Sequence, residues 1–281
     1  IYNQIVYDLS MKKLMTAILF FSSITNASEK EHELLMATLY VQSSAEFYAN
    51  SKTIYQAAKN DLQNLLKDTN HTAALEQNGN YSKKPPAIIL DVDQTVLDNS
   101  AYQARIIEKD TSYPEGWFSW AKEEKATFMP GVLEFMNFAE SNGVKIFFVT
   151  NRDIEIEQAT LNNYEALGYG SSSADSILSR GENGWDSNKT SRRQLIAEDY
   201  RIVMMFGDNL GDFIDIGENL LSPRERIEVA KKYSNYWGTS WYMLTNPMYG
   251  AWEGSIIDFD YGRPRQKNVE IKLKALDSLE D

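Results

Sequence analysis

Cysteine is absent from the 281-residue chain. That excludes disulfides, thiolate metal sites, a thiol nucleophile and a lipid-accepting cysteine. Histidine is scarce: His32 and His71 are the only two, and neither belongs to a ligand-spaced cluster. Positive charge is also in short supply, with 28 Lys and Arg against 40 Asp and Glu and a formal net charge of −12. A nucleic acid polymer wants a basic face, so this balance argues against one as partner. It leaves an anionic small molecule open, because a metal ion and a few cations reverse a local field. There is no internal repeat and no low-complexity segment.

Long hydrophobic runs are missing as well. The run Leu14 to Ile24 follows Met11-Lys12-Lys13 and precedes Thr25-Asn26-Ala27. It falls short of the roughly 20 apolar residues of a membrane-spanning helix. A basic start, a short apolar core and a small-residue site have the shape of a secretory signal peptide. Cleavage is expected after Ala27, leaving a periplasmic or secreted product with no stable membrane anchor. Residues 1–10 precede a methionine and are expected to lie outside the natural product.

What is present is enough for a substantial core: 43% hydrophobic residues, 12% of the chain aromatic. From Glu29 to about Leu66 apolar residues recur at spacings of three and four, which predicts two helices with a packing face. Pro85-Pro86 then leads into Ala87-Ile88-Ile89-Leu90, a short, partly β-branched run that reads as a buried parallel strand. It spills into Asp91-Val92-Asp93-Gln94-Thr95. Further strands are expected at 144–149, 202–206 and 241–244, with a short one at 176–178. Helices are expected from Pro130-Gly131, with Pro130 at the first helical position, from about Ile154 to Leu167, from Lys189, from Ser222 to Tyr233, and in the tail from Arg265. Strand alternating with helix predicts an α/β fold, a Rossmann-like parallel sheet with helices on both faces.

The domain division follows. Residues 1–27 are upstream residues and signal peptide, and 28–84 an N-terminal helical segment. Residues 85–250 are expected to form the α/β core, with an aromatic insert at 100–128, and 251–281 a C-terminal segment.

Strand ends in open α/β sheets carry the ligand site. Three of them here deliver polar groups: Asp91 and Asp93, Thr150 with Asn151, and Asp208 with Asp212. Lys189 is offered from a helix start, with Arg192 and Arg193 beside it. Cations are unfavourable at a helix N-terminus, so an anionic ligand would explain the placement. Carboxylate oxygens suit Mg²⁺, a hard cation. Thr150 and Lys189 would hold a phosphate. One aspartate can attack phosphorus while the other handles protons. The aromatic insert, Trp117 included, reads equally as a hydrophobic plug or as a stacking wall for a planar group.

The motifs Asp91-Val92-Asp93-Gln94-Thr95, Thr150, Lys189 and Gly207-Asp208-Asn209-Leu210-Gly211-Asp212 resemble the four motifs of the haloacid dehalogenase superfamily of phosphatases. The runs at 97–102, 130–135, 149–152, 207–213 and 246–254 resemble class C acid phosphatases, the bacterial lipoprotein 5′-nucleotidase type. The resemblance implies Asp91 as nucleophile and Asp93 as general acid/base. It implies Mg²⁺ on Asp91, the Asp93 carbonyl and Asp208, with Asp212 supporting the shell, and phosphate on Thr150, Asn151 and Lys189. It implies Trp117 and Tyr249 sandwiching a nucleotide ring, residues 85–250 as the catalytic core, a smaller helical domain formed from the chain ends at 28–84 and 251–281, and a homodimer. The chain departs from the family in lacking a cysteine for lipid attachment, and in having Gln94 where glutamate is more usual. The expected activity is hydrolysis of phosphomonoesters, nucleoside 5′-monophosphates above all. A non-catalytic nucleotide- or phosphate-binding or storage protein on the same fold is the alternative.

Overall fold

The computed structural model describes residues 32–217 and 220–279. The expected signal peptide at 1–27 lies outside them. Among the described residues no helix is long and apolar enough to cross a membrane. Residues Leu34–Asp281 form one compact unit.

Its centre is a five-stranded sheet. In chain order the strands are β1 (Pro86–Leu90), β4 (Lys145–Asp153), β5 (Ile177–Arg180), β6 (Arg201–Gly207) and β7 (Trp241–Met243), and their spatial order is β5-β4-β1-β6-β7. Every pairing among them is parallel. A second, two-stranded antiparallel sheet joins β2 (Leu97–Asp98) to β3 (Thr127–Phe128). Because side chains alternate along a strand, β1 sends Ile88 and Leu90 into one core and Ala87 and Ile89 into another. All four are at most 2% exposed, which is why the run is apolar without interruption.

The N-terminal helices are α1 (Leu35–Ser43) and α2 (Ala45–Lys67), separated at Ser44, whose side chain caps α2 by accepting from the Phe47 N–H. α2 buries Phe47, Tyr55, Ala58 and Leu62 in the core on one face of the sheet. The Tyr55 ring stacks on Phe206 of β6 at 5.5 Å. Its hydroxyl, forced to find a partner inside, donates to the Thr95 carbonyl at 2.6 Å. Apolar area on one face of α2 is therefore spent on the sheet.

The insert folds into α3 (Ser100–Lys109) and α4 (Trp117–Lys122). Next comes α5 (Val132–Ser141), which begins one residue after Gly131. Pro130 therefore lies before the helix and not at its first position. Gly131 has φ +95°, and a Cβ there would sit 3.2–3.3 Å from Lys52 and Tyr55, so glycine alone suits this contact with α2. The remaining helices are α6 (Glu157–Ala166), α7 (Thr190–Asp199), α8 (Pro223–Lys232), α9 (Ala251–Ile256) and α10 (Arg265–Lys274). Ile196 and Ala197 of α7 cover the sheet face opposite to α2.

Candidate active site

β1 is the middle strand, and β4 and β6 flank it in register, Leu90 lying beside Phe148 on one side and Phe206 on the other. With strands about 4.8 Å apart, whatever follows Leu90, Val149 and Gly207 must meet. Asp91, Thr150 and Asp208 stand at those places. A cavity of about 450 Å³ opens there, and Asp91, Asp93, Asn151, Lys189, Asp208 and Asp212 line it.

The buried Lys189 ammonium donates to Oδ1 of Asp91 and, at 2.7 Å, to Oδ1 of Asp212. The other Asp212 oxygen accepts the Asn209 N–H at 2.9 Å. Asp208 accepts from the Asn246 side-chain amide at 2.7 Å. One carboxylate oxygen from each of Asp91, Asp208 and Asp212 lies within 4.8 Å of the others. Three carboxylates so close, partly or fully buried, repel one another. Burial, then Asp212 and Asp93, push the Asp91 carboxyl up to about 7 against the pull of Lys189. Burial, then Asp91 and Asp212, push Asp208 well above the usual carboxylate range. Burial alone would lower Lys189, but Asp212 and Asp91 raise it. A hard divalent cation fits this donor set, since it would relieve the repulsion that the single lysine leaves. Gly207 makes room for the arrangement: a Cβ there would lie 2.3 Å from Oδ2 of Asp212.

Asp93 has a different setting. Its Oδ1 accepts from Nε of Arg152 at 2.9 Å and from Nδ2 of Asn99 at 2.6 Å. Arg152 also reaches Thr160 and Asn99, and its guanidinium lies 5.4 Å over the Trp117 ring. Tyr249 lines the cavity. Burial, then Asp93 and Asp208, hold its phenol well above 10 and therefore neutral.

The structure separates the remaining expected residues. Thr150 is fully buried, and its hydroxyl accepts the Arg152 N–H at 3.0 Å. The Asn151 side chain is engaged at both ends, donating to the Ser187 carbonyl and accepting from Arg192. Trp117 is 9% exposed, packs edge-on to Tyr102 at 5.1 Å and is not among the cavity-lining residues.

The anion expected at the start of α7 also needs correction for two of its three cations. Arg192 and Arg193 are fully buried. Arg192 donates to the carbonyls of Thr150, Asp186 and Asn188. Arg193 donates to the carbonyls of Gly211 and Asp212 and pairs with Glu76 at 2.6 Å. Both are struts that tie the site's loops to α7. Only Lys189 of the three reaches the cavity.

Sequence reading missed Arg152, Asn99 and Asn246, although each lies inside a run it singled out. Their chemistry is to hold other side chains, and no spacing rule reports that. Gln94, given no role, is fully buried at φ +56° and accepts the Asn99 N–H through Oε1. It shapes the turn that carries Asp93.

The chain matches the family described as HAD superfamily, subfamily IIIB (acid phosphatase) over residues 9–252, and it belongs to that family. Among solved structures it is similar to the class C acid phosphatase from Bacillus anthracis, at 31% identity and a TM-score of 0.77, covering 88% of this chain and 98% of that one. The same protein with tungstate bound superposes with a TM-score of 0.79, again at 31% identity, over 88% of this chain and 98% of that one. The chain is thus a phosphomonoesterase of the haloacid dehalogenase superfamily, of the class C acid phosphatase type.

Proposed function

We propose that this phosphatase is exported, depends on Mg²⁺, and hydrolyses nucleoside 5′-monophosphates through an aspartyl-phosphate on Asp91. The observation that carries the reading is the unequal setting of two aspartates. Asp91 is buried against Lys189, with Asp208 and Asp212 beside it. Asp93 has one oxygen tied by Arg152 and Asn99, which leaves the other for protons.

In the first half-reaction an Asp91 oxygen forms a bond to phosphorus while the ester P–O bond breaks. Asp93 gives its proton to the departing alkoxide, which leaves as the alcohol. In the second, the Asp93 carboxylate takes a proton from water, the oxygen attacks phosphorus, and the Asp91–phosphorus bond breaks to release phosphate. Lys189, with the backbone amides at Val92, Asp93 and Asn151, carries the negative charge of the transferring group. Asp91, Asp208, Asp212 and the Asp93 carbonyl would hold Mg²⁺, which supplies charge neutralisation at the phosphoryl oxygens. Thr150, behind Asn151, keeps that loop in place. Tyr249 offers a planar face for the base, whereas Trp117 braces Arg152. The signal sequence accounts for export, and the assembly is a homodimer.

The test is phosphate release from p-nitrophenyl phosphate and from mononucleotides with Mg²⁺, in wild type and Asp91→Asn. Release by the wild type and none by the variant supports the reading. Full release by Asp91→Asn would falsify it. N-terminal sequencing of secreted protein checks cleavage after Ala27, and light scattering checks the dimer.

A further inference from the structure

The cavity holds a cation that the reaction above does not use. Arg226 projects from the first turns of α8 into the cavity wall and is half-buried. Its Nη2 donates to Oδ1 of Asn209 at 3.2 Å, a neutral acceptor. Among the described residues it has no carboxylate within ion-pair distance. Burial lowers its guanidinium, and its ionisable neighbour is the Tyr261 phenol, which is neutral at ordinary pH.

The floor carboxylates have partners of their own. Asp91 and Asp212 are paired with Lys189, Asp93 with Arg152, and Asp208 with the Asn246 amide. Arg226 is therefore not a counter-charge for the carboxylates that share its cavity. A partly desolvated guanidinium with a single neutral hydrogen bond keeps four of its five N–H donors uncommitted. Such a group is suited to bind a planar or tetrahedral oxyanion bidentately. It is anchored to Asn209, which follows Asp208 directly, so it faces the same ligand as the phosphate site. Phe259 lines the cavity too, at φ +56°, in a conformation costly for an aromatic residue. Gly254 permits it: a Cβ there would lie 2.7 Å from the Phe259 ring and 2.3 Å from the Tyr261 hydroxyl. The wall around Arg226 is thus built at some conformational cost.

We infer that Arg226 forms a distal oxyanion subsite, so that the enzyme prefers phosphomonoesters bearing a second phosphate or a carboxylate. This rests on the phosphatase reading and deepens it by naming a substrate class.

The experiment uses matched pairs. Glycerol 2-phosphate and 2-phosphoglycerate differ by a hydroxymethyl against a carboxylate. Adenosine 5′-monophosphate and adenosine 3′,5′-bisphosphate differ by a second phosphate. The expected result is that kcat/KM favours the second member of at least one pair about 10-fold or more, the size of one charge-assisted contact. In Arg226→Met that preference collapses towards one, and in Arg226→Lys it is partly kept. The pair that responds tells carboxylate from phosphate. Equal kcat/KM within both pairs in the wild type overturns the inference, as does a preference that survives in Arg226→Met. Hydrolysis of glycerol 2-phosphate and adenosine 5′-monophosphate by the wild type reports separately on the phosphatase reading. The wild-type ratio decides the matter even if a variant fails to fold.

Discussion

Nε of Arg152 lies 2.9 Å from Oδ1 of Asp93, on a side chain that is 2% exposed. An arginine so deep is held by all its partners at once: Asp93, Asn99 and Thr160 by hydrogen bonds, Trp117 by its ring face. In the proposed mechanism it fixes which Asp93 oxygen meets the substrate. Arg152→Met is expected to lower kcat about 10- to 100-fold, within the range that a positioned acid/base supplies, with KM changed less. Steady-state kinetics on p-nitrophenyl phosphate measures the split, and an unchanged kcat would contradict the positioning role.

Trp117 is the residue on which expectation and placement differ most. Its ring packs on Tyr102 and faces Arg152 rather than the cavity. Trp117→Ala is expected to cost about 3–5 kcal/mol in stability, as for other large-to-small core changes. The ratio of kcat/KM for adenosine 5′-monophosphate over p-nitrophenyl phosphate should stay near its wild-type value. A selective loss on the nucleotide would restore the stacking role.

Gly207 approaches the Asp212 side chain too closely for any Cβ, at 2.3–2.6 Å from three of its atoms. Asp212 cannot yield easily, because Lys189 and the Asn209 N–H hold its two oxygens. Gly207→Ala should destabilise the fold by about 1–3 kcal/mol, the range for overpacking. Urea unfolding reads this, and wild-type stability would refute the steric account.

The three clustered carboxylates predict a thermal response to metal. Saturating Mg²⁺ should raise the melting temperature of the wild type by several degrees, by mass action on the folded state. Asp208→Asn should show a much smaller rise. Equal shifts in both proteins would place the ion elsewhere.

A pH dependence follows from the insert. Arg105 grips both Glu123 oxygens, at 2.6 and 2.8 Å, and Lys125 adds a third bond. Those hydrogen bonds, Arg105 first, lower the Glu123 carboxyl from 4.5 to about 2. A depressed folded value means the pair stabilises above the unfolded value and loses that contribution as pH falls towards 2. The melting-temperature gap between wild type and Glu123→Gln should be flat from pH 7 to about 5 and shrink below 4.5. A gap that widens on acidification would reverse the assignment.

Much of this molecule could be read before folding. The apolar run into Asp91-Val92-Asp93 marked a buried strand ending in chemistry, because a strand covered on both faces must be apolar until it reaches the sheet edge. The same signal placed Asp208, and Lys189 at a helix start. Family motifs then assigned jobs to residues whose spacing alone left them open. By contrast, the roles of Arg152, Arg192 and Arg193 depend on partners far away in the chain. Nε of Arg152 meets Asp93, 59 positions away, and the guanidinium of Arg193 meets Glu76, 117 positions away. A charged side chain in a sequence looks like a solvated group or a ligand. Only the packed structure shows that a fully buried arginine must be satisfied by carbonyls and carboxylates. The sequence by itself determined the sheet and the carboxylates that converge at its strand ends, since local pattern and strand order decide those. Tertiary structure alone decided which aromatics face the cavity, which cations serve as struts, and that Arg226 has no carboxylate partner among the described residues. Those depend on distances between elements that no local pattern encodes.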